Sequence, residues 1–353
     1  MFFFSNIFYE NTTGLERQQE FIYISDPSGQ GIYAWRDYNG NNVQELNEFE
    51  IARPEDGNRF IKFFTPTNIY VKAFNNQYSQ SVSINPGAVF SNKTGWLKFV
   101  GLLANETAYS VERKTNKEDG AARFNPFATG IAQNELIAAN FNFRNTFSFN
   151  RSSPVFGADF IYTELGNKNL LTNGFDTRKN LSRKVSLRWN ITPKWSINND
   201  FENGQKNSST DYTTGRDFSI KIYSIKPVFS YQPNTNMRIS INSAYTMKDN
   251  NIILGNESAV IRNIGTEFRL NQANSGSFLA NFNLISISYS SLSINTLAYE
   301  MLDGLNKGQN FTWSASVQRN LSKNLQLNLI YSARKSEALR AIHNGNVQLR
   351  AFF

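Results

Sequence analysis

Between residues 37 and 48 the chain reads DYNGNNVQELNE, which sets oxygen-bearing side chains at the first, third, fifth, ninth and twelfth positions. Calcium is a hard cation that takes oxygen ligands, and this is the ligand spacing of an EF-hand-like loop. The ligand set that follows is Asp37, Asn39 and Asn41 through their side chains and Val43 through its carbonyl. Glu45 joins directly or through water, and Glu48 closes the loop as a bidentate carboxylate. Two features depart from the pattern. The sixth position, normally Gly for its sharp turn, is Asn42, the next most tolerant residue for positive φ. The preceding IYAW (32–35) predicts a strand where an EF-hand has a helix. Only Asp37, Glu45 and Glu48 carry charge, so a modest affinity and a structural role are expected. The competing reading is a polar loop between two strands, ordered by Asx-type bonds from side chain to backbone.

Other chemistry is sparse. The chain has no cysteine and one histidine, His343, so disulfides, thiolate metal sites and cysteine nucleophiles are excluded. His343 falls in the polar stretch AIHNGN (341–346), expected to be a turn, and any His-dependent hydrolase would have to use it as base. No convergent set of acid, base and nucleophile is visible, so a non-enzyme is expected. The net charge of +8 is scattered, with no recognition motif beside it, and nucleic acid is not an expected partner.

The elements that would position any site are strands. The chain holds 30 Phe and 15 Tyr yet has a mean hydropathy of −0.45, so its apolar residues are interleaved with polar ones. No apolar run reaches the roughly 18 residues of a membrane helix; FVGLLA (99–104) is the best. MFFFSNIFYENTT lacks the basic start and long apolar stretch of a signal peptide, so either the chain is soluble or its amino terminus has been cut away. Period-two alternation dominates from about residue 135. VSLRWNI (185–191) sorts Val185, Leu187, Trp189 and Ile191 against Ser186, Arg188 and Asn190. FTWSASVQ (311–318), LQLNLIYSAR (325–334) and FNFRNTFSFN (141–150) sort in the same way. With segments near 155–164, 194–202, 217–231, 237–247, 260–271, 277–289, 292–301 and 345–353, about twelve strands are predicted. Residues 60–73, 78–89, 96–103 and 107–114 add up to four more.

Strands this long, with one apolar face and one Asn- and Ser-rich face, predict an antiparallel transmembrane β-barrel of about 12–16 strands. It would span 59–353, preceded by a polar, turn-rich segment over 1–58 that carries the opening motif. A soluble secreted β-sandwich, acting as adhesin or carbohydrate-binding module, alternates too and stays as the alternative. Short turns at 192–194, 232–236 and 320–324 are expected at one end of the barrel. Long loops are expected at 115–134, 166–180, 202–216 and 248–258. The count does not alternate cleanly: 248–258 and 202–216 land on the short-turn side, so at least one strand or turn near 259–291 is misassigned.

The final NVQLRAFF puts Val347, Leu349, Ala351 and Phe353 on one apolar face. An amphipathic last strand ending on Phe looks like the signal that barrel-assembly machinery recognises in outer-membrane proteins; an ordinary terminal edge strand is the plainer reading. GIYAWRDYNGNNVQELNEFEIA (31–52), FTPTNIYVKA (64–73) and the closing segments from AYEMLDGLNKGQNFTW to NVQLRAFF resemble large outer-membrane proteins of Bacteroidota-type bacteria. The resemblance covers the chain from about residue 20 to its end. It implies the carboxy-terminal part of a longer barrel protein, lodged in outer-membrane lipid. On that reading the protein is a pore, a transport or secretion component, or a surface scaffold.

Overall fold

The computed structural model describes residues 1–26, 31–52, 59–116, 124–125, 127, 135–211, 217–251, 253, 255–272, 275–291, 296–337 and 340–352. The chain is all-β. Among the described residues one 16-stranded sheet holds every strand, and its pairings are antiparallel apart from one parallel bridge. The strands are β1 (Phe3–Ser25), β2 (Tyr33–Trp35), β3 (Phe49–Ile51), β4 (Phe60–Ile84), β5 (Leu103–Thr115), β6 (Leu136–Phe149), β7 (Phe156–Leu171) and β8 (Gly174–Thr192). They continue as β9 (Trp195–Thr210), β10 (Phe218–Tyr231), β11 (Met237–Asn250), β12 (Ser258–Gln272), β13 (Gly276–Tyr289), β14 (Gly308–Ser322), β15 (Leu325–Ser336) and β16 (Ile342–Ala351). From β4 to β16 each long strand pairs with the next, and β1 lies on the far side of β4.

Side-chain alternation gives this sheet two unlike faces. On one, Phe147, Phe160, Val185, Phe201, Ile225 and Tyr245 stand directly opposite one another across six consecutive strands. All six are solvent-exposed, at 38–44 % of their accessible area. On the other face charges pair across strands: Lys184 with Asp200 at 3.4 Å, Lys226 with Glu202 at 3.3 Å, Arg238 with Glu267 at 3.1 Å.

Several sequence expectations change here. Residues 292–301 were expected to be a strand. After the short helices α1 (Gly87–Phe90) and α2 (Trp96–Val100), the described part of this stretch forms a helix, α3 (Thr296–Met301), with Leu297, Ala298, Met301 and Leu302 buried against Phe218, Ile220, Ile261 and Ile287 of the polar-face wall. Its apolar residues fall at helical spacing, which outweighs the short alternation ahead of it. With that strand removed, just beyond the 259–291 interval where the error was expected, the connections alternate: those after Thr210, Asn250 and Ser336 fall at the same end, opposite the tight turns. The loop expected at 166–180 is almost all strand, because β7 and β8 meet through the two-residue turn Thr172–Asn173 and Gly174, which sits at φ 125°. β9 likewise runs on through ENGQKNSST to Thr210. Trp96–Val100 is a short helix where a strand was expected, and 60–84 is one strand instead of two.

The segment 1–58 is not turn-rich throughout. β1 pairs with β4 from Phe3↔Ile84 to Ser25↔Phe60, with an irregularity between Arg17 and Gln19. β5 reaches only as far as Phe74 of β4, so the upper part of this hairpin extends beyond it. There it folds onto the β7–β8 turn. Gln19 bridges Leu171, the Thr172 N–H donates to the Gln19 carbonyl at 3.1 Å, and Lys62 lies 4.0 Å from the centre of the Phe21 ring. Tyr23 stacks on Phe49 at 4.0 Å and Phe49 meets Phe60 edge-on, which fixes β2 and β3 to the hairpin. β3 in turn touches α3, the helix packed on the polar face of the sheet.

Candidate functional site

The opening motif is the connection between β2 and β3. Asn42 has φ 55° and Gly40 φ 72°, so the sixth position adopts the positive φ that the loop spacing demands. Each expected side-chain ligand accepts N–H groups. Asp37 Oδ1 receives Gly40 N at 2.7 Å and Asn41 N at 3.2 Å, and Asp37 Oδ2 receives Asn42 N at 2.8 Å. Asn39 Oδ1 receives Asn41 N at 3.0 Å, and Asn41 Oδ1 receives Val43 N at 2.6 Å. Asn39 Nδ2 donates to Glu45 Oε2 at 3.0 Å. Glu48 is almost sealed, 1 % exposed, and accepts Trp35 Nε1 at 2.8 Å and the Tyr38 N–H at 3.2 Å. The flanks are strands, as IYAW implies. The six predicted donors are therefore in one loop, held by the Asx-type bonds of the competing reading. Asp37 Oδ1 already accepts two N–H groups, but Asp37 Oδ2, Asn39 Oδ1 and Asn41 Oδ1 each accept one backbone N–H and keep a lone pair for a cation, so the two readings are compatible at those atoms.

At the other end, Val347 and Leu349 share the apolar face of β16 and are 72 % and 59 % exposed. They stand opposite Leu329 and Leu327, and Ala351 stands opposite Leu325. Phe353 lies outside the described residues. His343 belongs to β16, not to a turn. Its Nδ1 shares a 2.8 Å hydrogen bond with Tyr331 Oη, and its ring lies edge-on to Trp313. Arg188 donates to the carbonyls of Arg151 and Ser153, at 3.1 and 2.9 Å, so backbone carbonyls hold it.

Sequence reasoning missed a cavity of about 870 Å³ on the polar face. Residues 31–32, 51–52 and 59 wall one side, the α3 segment another, and β13 to β16 the third. Ala298, Leu302 and Tyr289 contribute apolar surface; Arg59, Lys307, Arg334 and Arg340 contribute charge. α3 is tied down by Lys248, 4 % exposed, which donates to Asp303 Oδ1 at 2.6 Å and to the Glu300 carbonyl at 3.3 Å.

The sequence matches no protein-family model and no curated protein.

With no family to lean on, the geometry carries the functional reading. No local motif marks the cavity, because its walls come from four distant stretches of chain. The only signal was the helical spacing of Leu297, Ala298, Met301 and Leu302.

Proposed function

We propose that this chain is a membrane-embedded β-barrel component of an outer membrane, acting in transport or secretion or as a surface scaffold. The single observation that carries the reading is the exposed in-register row from Phe147 to Tyr245. An unbroken apolar band across six strands is costly in water and suits lipid contact. A second row, Phe156, Trp189, Ile197, Phe229 and Ile241, extends the band over five strands, and all but the half-buried Ile197 are exposed. A soluble sandwich would bury such a face under a second sheet, whereas all strands among the described residues belong to one. Within the proposal the paired charges of the polar face line the interior. α3 and the β2–β3 hairpin fill part of it, which favours a plugged component over an open pore. The exposed apolar face of β16, with Val347 and Leu349, fits the assembly signal, and barrel-assembly machinery is the proposed partner in biogenesis.

The test is migration on a denaturing gel with and without heating, from detergent extracts of membranes. A boiled sample that migrates differently from an unboiled one supports the barrel. A protein that stays in aqueous solution without detergent, with no heat-dependent shift, refutes it.

Calcium belongs to the proposal as a structural ion at Asp37, Asn39, Asn41, Val43, Glu45 and Glu48. Those donors are all oxygen, and the loop already turns through a positive φ at Asn42. Millimolar calcium should raise the unfolding temperature of the detergent-solubilised chain, and Asp37→Ala should abolish that rise. Equal melting curves with calcium and with chelator would leave the loop ordered by its hydrogen bonds alone.

A further inference from the structure

The cavity beside α3 has an unbalanced lining. Arg59, Lys307, Arg334 and Arg340 all contribute to its walls, and no described Asp or Glu side chain does. The two carboxylates of the α3 segment face other cations: Asp303 takes Lys248 at 2.6 Å, and Glu300 lies 3.6 Å from Lys206. Lys307, Arg334 and Arg340 are solvent-exposed, so water screens much of their mutual repulsion, and an anion placed among them gains chiefly from charge-assisted hydrogen bonds. Apolar surface comes from Ile32, Ile51, Leu302 and Leu305, while Asn283, Asn306, Ser314 and Ser336 add neutral polar groups. Tyr289, 5 % exposed, closes this side of the cavity with its ring packed into the wall. A volume of about 870 Å³ suits a small organic ligand.

We propose that this cavity is a binding site for an organic anion with a compact apolar body. The apolar part lies against α3, and the anionic group sits between Arg334 and Arg340. Arg334 already donates one N–H to the Gly304 carbonyl at 3.3 Å, which holds its guanidinium at the cavity wall. A guanidinium has further donors in a planar fork that matches carboxylate, sulfonate or phosphate oxygens. Nothing in this inference depends on lipid on the other face of the sheet.

The experiment is calorimetric titration of the full chain, in nonionic detergent, with naphthalene-2-sulfonate and with the isosteric cation 2-naphthylmethylammonium. If the protein proves soluble without detergent, the same titration runs in buffer, so the two readings fail separately. The expected result is saturable one-to-one binding of the sulfonate, at least tenfold weaker binding of the cation, and at least tenfold loss of sulfonate affinity in Arg334→Gln/Arg340→Gln. Micelle partitioning gives unsaturable heat that the variant shares. The cation comparison on the unmodified chain stands even if the double variant does not fold. Absence of saturable sulfonate binding, equal binding of both probes, or unchanged affinity in a folded double variant would overturn the proposal.

Discussion

Met301→Asp is expected to release α3 from the sheet. Met301 is fully buried, at 0 % exposure, among Phe218, Ile220, Ala259, Ile261 and Ile287. A helix as short as Thr296–Met301 has no stability of its own in water, so this packing holds it in place. Truncating such a side chain to Ala costs about 2–5 kcal/mol. A carboxylate placed among these apolar side chains adds a desolvation penalty. Loss of α3 also removes Asp303 from the nearly buried Lys248 and opens the anion cavity. The measurement is limited proteolysis with mass mapping: new cleavage within 290–307, while the strands stay protected, is the expected outcome. A digestion pattern identical to that of the unaltered chain would mean that α3 is held by something other than this cluster.

Gly276→Val is expected to prevent correct assembly of the β12–β13–β14 region. Gly276 opens β13 at φ 141°, a conformation that L side chains rarely adopt. A Cβ built there lies 1.9 Å from the Gln318 carbonyl oxygen and 2.9 Å from the Arg319 Cα. Both are backbone atoms of the paired strand, so no rotamer change relieves the clash. The conformational term alone is about 1–3 kcal/mol, and displacing β14 adds to it. The Gly276↔Arg319 pairing and the turn bond from Asn320 N to the Ser275 carbonyl, 3.0 Å, both depend on this close approach. Refolding yield in detergent should fall sharply, whereas Gly14→Val, where a Cβ meets nothing within 4 Å, should fold normally. Equal yields for the two variants would contradict the close approach at Gly276.

These two sites mark where local sequence does and does not reveal the structure. Alternation exposed β8, β14 and β15 directly, because Trp189, Trp313 and Leu329 return to one face every second residue. It failed at the upper ends of β7, β8 and β9. There GNKNLL and ENGQKNSST are polar on both faces and look like loops, yet cross-strand pairing holds them in the sheet. It failed again at α3, where SLSIN begins with a strand-like alternation and only Leu297, Ala298, Met301 and Leu302 carry the helical spacing. The loop at 37–48 was legible down to the positive φ at Asn42, since its chemistry is local. The cavity was not, because Arg59, Lys307 and Arg334 converge only through the folding of the β1–β4 hairpin across the polar face.

The central claim is that one face of this sheet meets lipid and the other meets water. The chain has no cysteine, so single cysteines for nitroxide labelling can be placed along β11 from Arg238 to Tyr245 without background. Ile239 and Ile241 are 37 % and 53 % exposed on the apolar face, whereas Ser240 is buried on the other. In liposomes, labels at 239, 241, 243 and 245 should collide more often with oxygen, which concentrates in lipid. Labels at 238, 240, 242 and 244 should collide more often with a water-soluble nickel chelate. A period-two alternation of that sense is the predicted result; chelate access without alternation would contradict a membrane-embedded sheet.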